Sequence, residues 1–156
     1  MRIALVALAL AVLAGCGEEP KPAAPAPEKK AAVVKPSDEG YRLPRQGQVS
    51  VQLVDNELLG KKFLPGGNVG QYKAGGKTYE VFLARLSSAE AAPLALLDWK
   101  KDMAGARLVP SFGGYFGDDG GQPVFVFTKG RWVAGVRGLT EKDADPVARD
   151  LASRLD

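Results

Sequence analysis

The alternation of apolar and polar residues that begins at Gln48 is typical of a β-strand with one face in water. Val49, Val51 and Leu53 are its apolar members, and the residues between them are polar. Farther along, residues 78–86 carry apolar side chains on both sides of a strand, which predicts a central strand covered on its two faces. The pattern therefore predicts a β-sheet that begins near Gln48.

Helical spacing of apolar residues follows this strand, and it predicts a first helix that ends at Gly105. Ser87 and Glu90 stand at the spacing of a capping box, but Pro93 leaves the start of the helix open. Either the helix begins at Ser87 and bends at the proline, or Ala92 caps a helix whose first residue is Pro93. One helix is predicted in either case.

A second helix is predicted after Thr140, with Asp143 as its capping partner and an apolar stripe that extends to Leu155. It follows two apolar strands, residues 123–128 and 131–137, which are joined by a short turn. This order repeats the strand and helix of the first half of the domain. Similar residues recur at one spacing: Leu86-Ser87 with Leu139-Thr140, Glu90-Ala91 with Asp143-Ala144, and Tyr79 with Trp132.

These elements predict an α+β fold, an antiparallel sheet with two helices packed on it. The repetition favours two units, each a β-hairpin followed by a helix. Gene duplication and independent use of the same capping chemistry both explain the repetition, and the sequence does not decide between them. The predicted architecture is the same under either explanation.

The segment before this domain, residues 17–47, is rich in proline and alanine and has almost no large apolar side chains. Such a composition cannot offset the entropy of an ordered chain, and its prolines favour extended conformations. We therefore predict a disordered tether over residues 16–47 and a globular domain over residues 48–156. The alternative is that the segment packs on the domain, chiefly through Val33 and Val34.

The beginning of the chain has the three zones of a secretory signal: a charged start at Arg2, an apolar run over residues 3–13, and small residues before the expected cut. The apolar run, at about 1.5 Å per residue, reaches only about half of the roughly 30 Å hydrocarbon core of a bilayer. We therefore predict a signal peptide over residues 1–15 rather than a membrane-spanning helix.

The tetrapeptide Leu13-Ala14-Gly15-Cys16 resembles the lipobox of bacterial lipoproteins at each of its positions. In that family a diacylglycerol is attached to the cysteine sulfur, the preceding peptide is removed, and the new amino terminus is usually acylated. The resemblance implies that Cys16 carries acyl chains such as palmitate and anchors the protein to a membrane. An ordinary signal peptide followed by an unrelated cysteine is the alternative.

Gly17 stands where an aspartate is associated with retention in the inner membrane of enteric bacteria. We therefore expect the outer membrane rather than the inner one, with the domain in the periplasm. The charges of the domain are interspersed and nearly balanced, and the net charge of the chain is +3. This distribution does not favour nucleic acid as a partner.

The composition excludes much common enzyme chemistry, because the chain has no histidine and Cys16 is its only cysteine. Ser-His-Asp and Cys-His sites, an imidazole base and the usual zinc ligands are all excluded. We therefore expect no metal and no cofactor. The enzymatic alternative is a carboxylate-dependent hydrolase or transferase that uses Asp118 and Asp119, with Arg107 converging on the same pocket.

A glycine-rich loop supplies the candidate contact residues of a binding protein. These residues are Phe112, Tyr115, Phe116, Asp118 and Asp119. The alternative is that the aromatic residues fill the core and the glycines only shape the chain around them. Adjacent acidic residues in a turn rarely point at one substrate, so for Asp118 and Asp119 we favour an ordinary loop over catalysis, and for the aromatic residues we favour the core over contact.

Two further segments, residues 85–91 and 127–132, resemble an uncharacterised family of bacterial exported domains. In the first segment a strand runs into a Ser-started helix, and the second contains the later strand with the Lys-Gly-Arg-aromatic pattern. This resemblance implies no activity and no functional residues. The sequence therefore predicts a membrane-anchored, non-enzymatic binding module of the cell envelope, with a protein, glycan or lipid as its partner.

Overall fold

The computed structural model describes residues 35–156. The predicted signal peptide (residues 1–15), the predicted lipidation site Cys16 and most of the predicted tether (residues 17–34) lie outside the described residues. Within the described part, no helix is both long and apolar enough to cross a membrane. Its strands and helices follow one another as β1 (Gln48–Asn56), β2 (Pro65–Ala74), β3 (Lys77–Arg85), α1 (Ala91–Asp102), β4 (Ala104–Val109), β5 (Gly114–Asp118), β6 (Pro123–Lys129), β7 (Trp132–Arg137) and α2 (Glu141–Ser153).

All the described strands form one antiparallel sheet in the order β1-β2-β3-β7-β6-β5-β4, so β3 and β7 lie at its centre. The predicted α+β fold is therefore confirmed. Both hairpin–helix units are present, because the β2–β3 hairpin precedes α1 and the β6–β7 hairpin precedes α2. Gly130 makes the turn of the second hairpin with a φ of 54°, a conformation that favours glycine.

The sheet is covered on both faces, with one helix on each. Val81 and Leu83 of β3 belong to the apolar cluster that contains α2, whereas Phe82 and Ala84 belong to the cluster that contains α1. Successive side chains of a strand point to opposite faces, so β3 contributes to both clusters. The prediction of a central strand covered on two sides is confirmed.

The two hairpin–helix units are not related by a simple two-fold axis. Phe82 and Gly135 occupy equivalent positions in the repeated pattern, and the register of β3 and β7 pairs them with each other. The two strands by themselves therefore fit a two-fold axis perpendicular to the sheet. Such an axis would place both helices on one face, but α1 and α2 lie on opposite faces.

Gly135 is required at its position in β7, because a Cβ there would lie 2.1 Å from the Phe125 carbonyl oxygen.

The start of α1 differs from both predicted alternatives. The helix begins at Ala91, and the Ser88 hydroxyl rather than Ser87 accepts a hydrogen bond from the Ala91 N–H at 3.3 Å. Pro93 is accommodated in the first turn of the helix because the first N–H groups of a helix have no partner within the helix. The start of α2 is confirmed, since the Thr140 hydroxyl accepts from the Asp143 N–H at 3.4 Å.

The glycine-rich segment predicted as a loop contains strand β5, and the sequence also did not predict β4. Gly114 is needed for the pairing, because a Cβ there would lie 2.3 Å from the Val126 carbonyl oxygen of β6. Glycines usually weaken strands, so a glycine-rich segment does not indicate a strand from its sequence. They allow β5 to approach its neighbour closely.

Strand β1 forms as predicted, but its apolar residues are not buried. Val49, Val51 and Leu53 are 69%, 38% and 41% exposed. Strand β1 lies at the edge of the sheet and pairs only with β2 among the described residues. Alternation thus identified the strand, while its position in the sheet decided how much of it is covered.

The packed domain begins earlier than the predicted boundary at Gln48. Leu43 is 0% exposed within the core, and the Tyr72 hydroxyl donates a 2.6 Å hydrogen bond to the Pro44 carbonyl. The Lys73 N–H donates to the Gly47 carbonyl at 2.8 Å. Gly70 leaves room for this packing, since a Cβ there would meet both the Leu43 and the Tyr72 side chains. At least the residues from Glu39 onward therefore belong to the domain rather than to a tether.

Candidate functional site

A cavity of about 550 Å³ opens where β3 ends and β7 begins. Leu83 and Trp132 contribute buried apolar surface to it, and Glu39, Arg85 and Arg131 contribute charged groups. This volume lies within the range of small-molecule sites, which combine an apolar lining with a few placed polar groups. We refer to this feature as the Arg85–Arg131 cavity.

Residues 35–39, which precede β1, form one wall of the cavity, and hydrogen bonds to Asn68 connect them to β2. The Asn68 Oδ1 accepts from the Glu39 N–H at 2.8 Å, and its Nδ2 donates to Asp38 Oδ1 at 2.9 Å. The Gly40 N–H and the Asn68 amide both donate to Asp38, and they hold the pKa of its carboxyl below the usual range. Both polar groups of Asn68, which is 1% exposed, are thereby satisfied.

Glu39 is the only carboxylate of the described cavity lining, and other residues already satisfy it. It accepts from the Ser37 hydroxyl at 3.0 Å and from Arg42 Nε at 3.0 Å. Burial raises the pKa of Glu39, but hydrogen bonds from Tyr41, Arg42 and Ser37 outweigh burial and lower it overall. The carboxylate is therefore ionised at neutral pH and acts as a structural acceptor.

Two arginines line the cavity: Arg85 ends β3, and Arg131 lies in the turn directly before β7. The β3–β7 register pairs Arg85 with Trp132, which brings Arg85 and Arg131 to the same end of the sheet. The Arg85 guanidinium lies 5.7 Å from the centre of the Trp132 ring, a distance that allows a cation–π interaction. Arg131 Nη2 donates to the Ser87 carbonyl at 2.8 Å, which orients its side chain.

Positive charge exceeds negative charge in this lining. Lys35, Arg85 and Arg131 are cationic, whereas Glu39 is anionic. Arg85 Nη1 forms an ion pair with Glu39 Oε1 at 3.6 Å, a distance too long for a good hydrogen bond. The arrangement can hold an anionic group beside an apolar surface. It offers no carboxylate that is free to act as a base.

The aromatic residues predicted as contacts do not share one surface. Phe112 and Phe116 pack against the α2 cluster, whereas Tyr115 packs against the α1 cluster. Tyr115 and Phe116 separate because neighbouring side chains of a strand point to opposite faces. The Phe112 ring lies 5.1 Å from Phe125 and 5.0 Å from Phe127, between ring centres. All three rings are partly buried against the core.

The predicted acidic pair is also divided. Asp118 Oδ1 accepts from the Gly121 N–H at 2.7 Å and closes the turn after β5. Asp119 accepts from Trp99 Nε1 at 2.8 Å and forms an ion pair with Lys61 at 2.8 Å. Each aspartate therefore has a structural partner of its own, and the two do not converge.

Arg107, which the enzymatic alternative placed beside the aspartates, has other partners. It forms an ion pair with Glu141, and its guanidinium lies 5.2 Å from the centre of the Phe116 ring. Within residues 35–156, no three His, Cys, Asp or Glu residues are placed to hold a metal ion together. No described feature therefore assembles the carboxylate site that the alternative requires.

Sequence reasoning did not identify the Arg85–Arg131 cavity. Glu39 lay in the predicted tether, and isolated arginines at the ends of strands carry no local signal. The nearest sequence signal was the pair of segments that resemble a family of exported domains, since residues 85–91 and 127–132 both contribute to the lining. Comparison of the chain with protein-family models, curated proteins and solved structures finds no match. The site is therefore interpreted from its own chemistry.

Proposed function

We propose that this chain is a membrane-anchored lipoprotein of the cell envelope whose domain is a non-enzymatic binding module. The anchor is the acylated Cys16, the membrane is the outer membrane, and the domain faces the periplasm. The Arg85–Arg131 cavity is the observation that carries the binding role. It combines apolar surface with accessible cations, while its only described carboxylate is already satisfied.

Binding is favoured over catalysis because the groups that catalysis needs are engaged elsewhere. A general base must reach the proton that it removes, and Glu39 accepts hydrogen bonds from Ser37 and Arg42 instead. Asp118 accepts a hydrogen bond from Gly121 in the turn after β5, and Asp119 accepts one from the Trp99 indole N–H. No observation therefore favours the carboxylate-dependent alternative.

The anchor is tested by Cys16→Ala in cells that are fed a fatty acid analogue. Because the sulfur is the acyl acceptor, we expect the variant to lose the label and to leave the membrane fraction. Leu94→Ala, which changes an exposed residue of α1, is the matched control and keeps the label. Label that persists on the Cys16 variant would contradict the anchor. Density separation of the labelled membranes then distinguishes the outer from the inner membrane.

The binding role is tested by crosslinking in intact cells. A photoreactive residue in place of Ser87, which is exposed beside the cavity, captures whatever occupies it. The same residue in place of Leu94, on the exposed side of α1, is the control. We expect an adduct that is specific to position 87. Identical adducts from the two positions, or none from position 87, would contradict a ligand in the cavity.

A further inference from the structure

We propose that the Arg85–Arg131 cavity binds an amphiphilic anion, whose phosphate or carboxylate contacts the two arginines while its apolar part lies against the half-buried Pro36 and Pro65 of the lining. The inference rests on the proposed binding role and adds the chemical class of the ligand. It depends on three features: the availability of the arginines, the apolar surface beside them, and the place where the chain enters the domain.

The arginines remain only partly neutralised, because the single carboxylate of Glu39 forms an ion pair with Arg85 at 3.6 Å, is shared with Arg42, and cannot also balance the charge of Arg131. The Glu39 oxygens accept from Ser37 and Arg42 at 3.0 Å each, whereas Arg85 lies 3.6 Å away. Arg85 is half exposed, and the described contacts of Arg131 include one hydrogen bond, to the Ser87 carbonyl. A guanidinium presents several N–H donors in a planar fork that matches the oxygens of a carboxylate or phosphate.

The apolar surface indicates that the ligand is more than a small hydrated anion. The half-buried Pro36 and Pro65 supply most of the accessible apolar surface of the lining. Leu83, Leu86 and Trp132 also line the cavity, but they are 1%, 9% and 2% exposed. An acyl chain or ring placed on this surface gains about 25 cal/mol for each Å² that it removes from water. Inorganic phosphate cannot use that gain. The combination of cations and apolar surface thus favours an amphiphile.

The point at which the chain enters the domain brings the cavity within reach of a membrane surface. Lys35, the first described residue, lines the cavity. If Cys16 is acylated, residues 17–34 separate the anchor from the cavity and span at most roughly 60 Å when extended. Anionic headgroups are therefore one source of the ligand, and soluble amphiphiles of the periplasm are another. Both offer the same chemistry to the arginines.

The test uses the chain from residue 16 onward, with Cys16→Ser to leave it without acyl chains. Calorimetric titration compares four probes: dihexanoyl phosphatidylglycerol, dihexanoyl phosphatidylcholine, decanoate and inorganic phosphate. We expect phosphatidylglycerol or decanoate to bind at least about ten-fold more tightly than phosphatidylcholine and phosphate, because only they combine a net negative charge with an apolar part. Preference for phosphatidylglycerol indicates a membrane source, and preference for decanoate indicates a soluble one.

Variants then assign the binding to the cavity. Arg85→Gln and Arg131→Gln should each weaken binding of the preferred probe by about ten-fold or more. Arg149→Gln is the matched control, since Arg149 pairs with Asp145 on α2 and does not line the cavity. Thermal melting shows whether each variant is folded. If either cavity variant is unfolded, the corresponding lysine substitution replaces it. We expect the lysine variant to keep the electrostatic attraction for the probe but to bind it more weakly.

Several results would overturn the inference. If phosphatidylcholine binds as tightly as the anionic probes, the negative charge of the ligand is not needed. If inorganic phosphate binds as tightly as they do, the apolar part is not needed. Unchanged affinity in the folded Arg85 and Arg131 variants would place the ligand elsewhere. If neither amphiphile binds but the residue at position 87 still captures a ligand in cells, the ligand class is wrong while the binding role stands. If capture also fails, the binding role is wrong as well.

Discussion

Leu43→Ala tests the early boundary of the domain, because this residue belongs to the segment that the sequence assigned to a tether. Leu43 is 0% exposed and lies in the same cluster as Tyr72. Its side chain fills space above Gly70, where a Cβ would come within 3.2 Å of it. If the segment belongs to the core, truncating this side chain leaves a void in the domain.

The expected cost follows from the atoms removed. Leucine loses three carbon atoms, and at about 0.8 kcal/mol for each buried group the transfer contribution is about 2.4 kcal/mol. The void that remains adds to this, so we expect the free energy of unfolding to fall by about 3 kcal/mol. In a domain of this size, that loss lowers Tm by about 10–15 °C.

Urea denaturation followed by circular dichroism measures the change, with thermal melting as a second measurement. Leu94→Ala is the matched control: it removes the same atoms from a residue that is 64% exposed, and we expect a change below about 0.5 kcal/mol. Equal urea midpoints for the Leu43 variant and the unchanged protein would refute the early boundary. Residues 39–47 would then belong to the tether after all.

Two further substitutions test the positions that the sequence proposed as contacts. Tyr115→Ala should lower the free energy of unfolding by about 2 kcal/mol, because the ring packs against the α1 cluster and Lys100 Nζ lies 5.0 Å from the ring centre. A variant that is as stable as the unchanged protein but binds its partner more weakly would instead support the contact hypothesis. Asp119→Ala should cost about 2 kcal/mol in urea denaturation, because it leaves the buried Trp99 N–H without its acceptor. Asp118→Ala, the control, should cost about 1 kcal/mol or less, and equal costs would contradict the assignment.

The elements with strong local signals were predicted best. The two-sided apolar pattern of residues 78–86 identified β3 and its position between two layers, and the Thr140 cap located the start of α2. These signals lie within a few residues of the element that they describe. They follow from the periods of strands and helices and from the unpaired N–H groups at a helix start.

Weak local signals led to the corrections. Glycine usually weakens a strand, so β5 was taken for a loop, although Gly114 is what allows its close pairing with β6. The residues around Leu43 have a proline-rich, polar composition that indicates disorder, and one leucine within them is buried by β2. In both places a distant strand determined the outcome.

By itself, the sequence determined the α+β class, the order of the last two strands and the last helix, and the chemistry excluded by the lack of histidine. It also predicts the anchor at Cys16, which lies outside the described residues. Only the tertiary structure decided that the helices cover opposite faces, that the predicted contact residues are divided between two clusters, and that Glu39, Arg85 and Arg131 share a cavity. The physical reason is range: capping and periodicity act between near neighbours, whereas strand pairing joins residues far apart in the chain and leaves no local pattern.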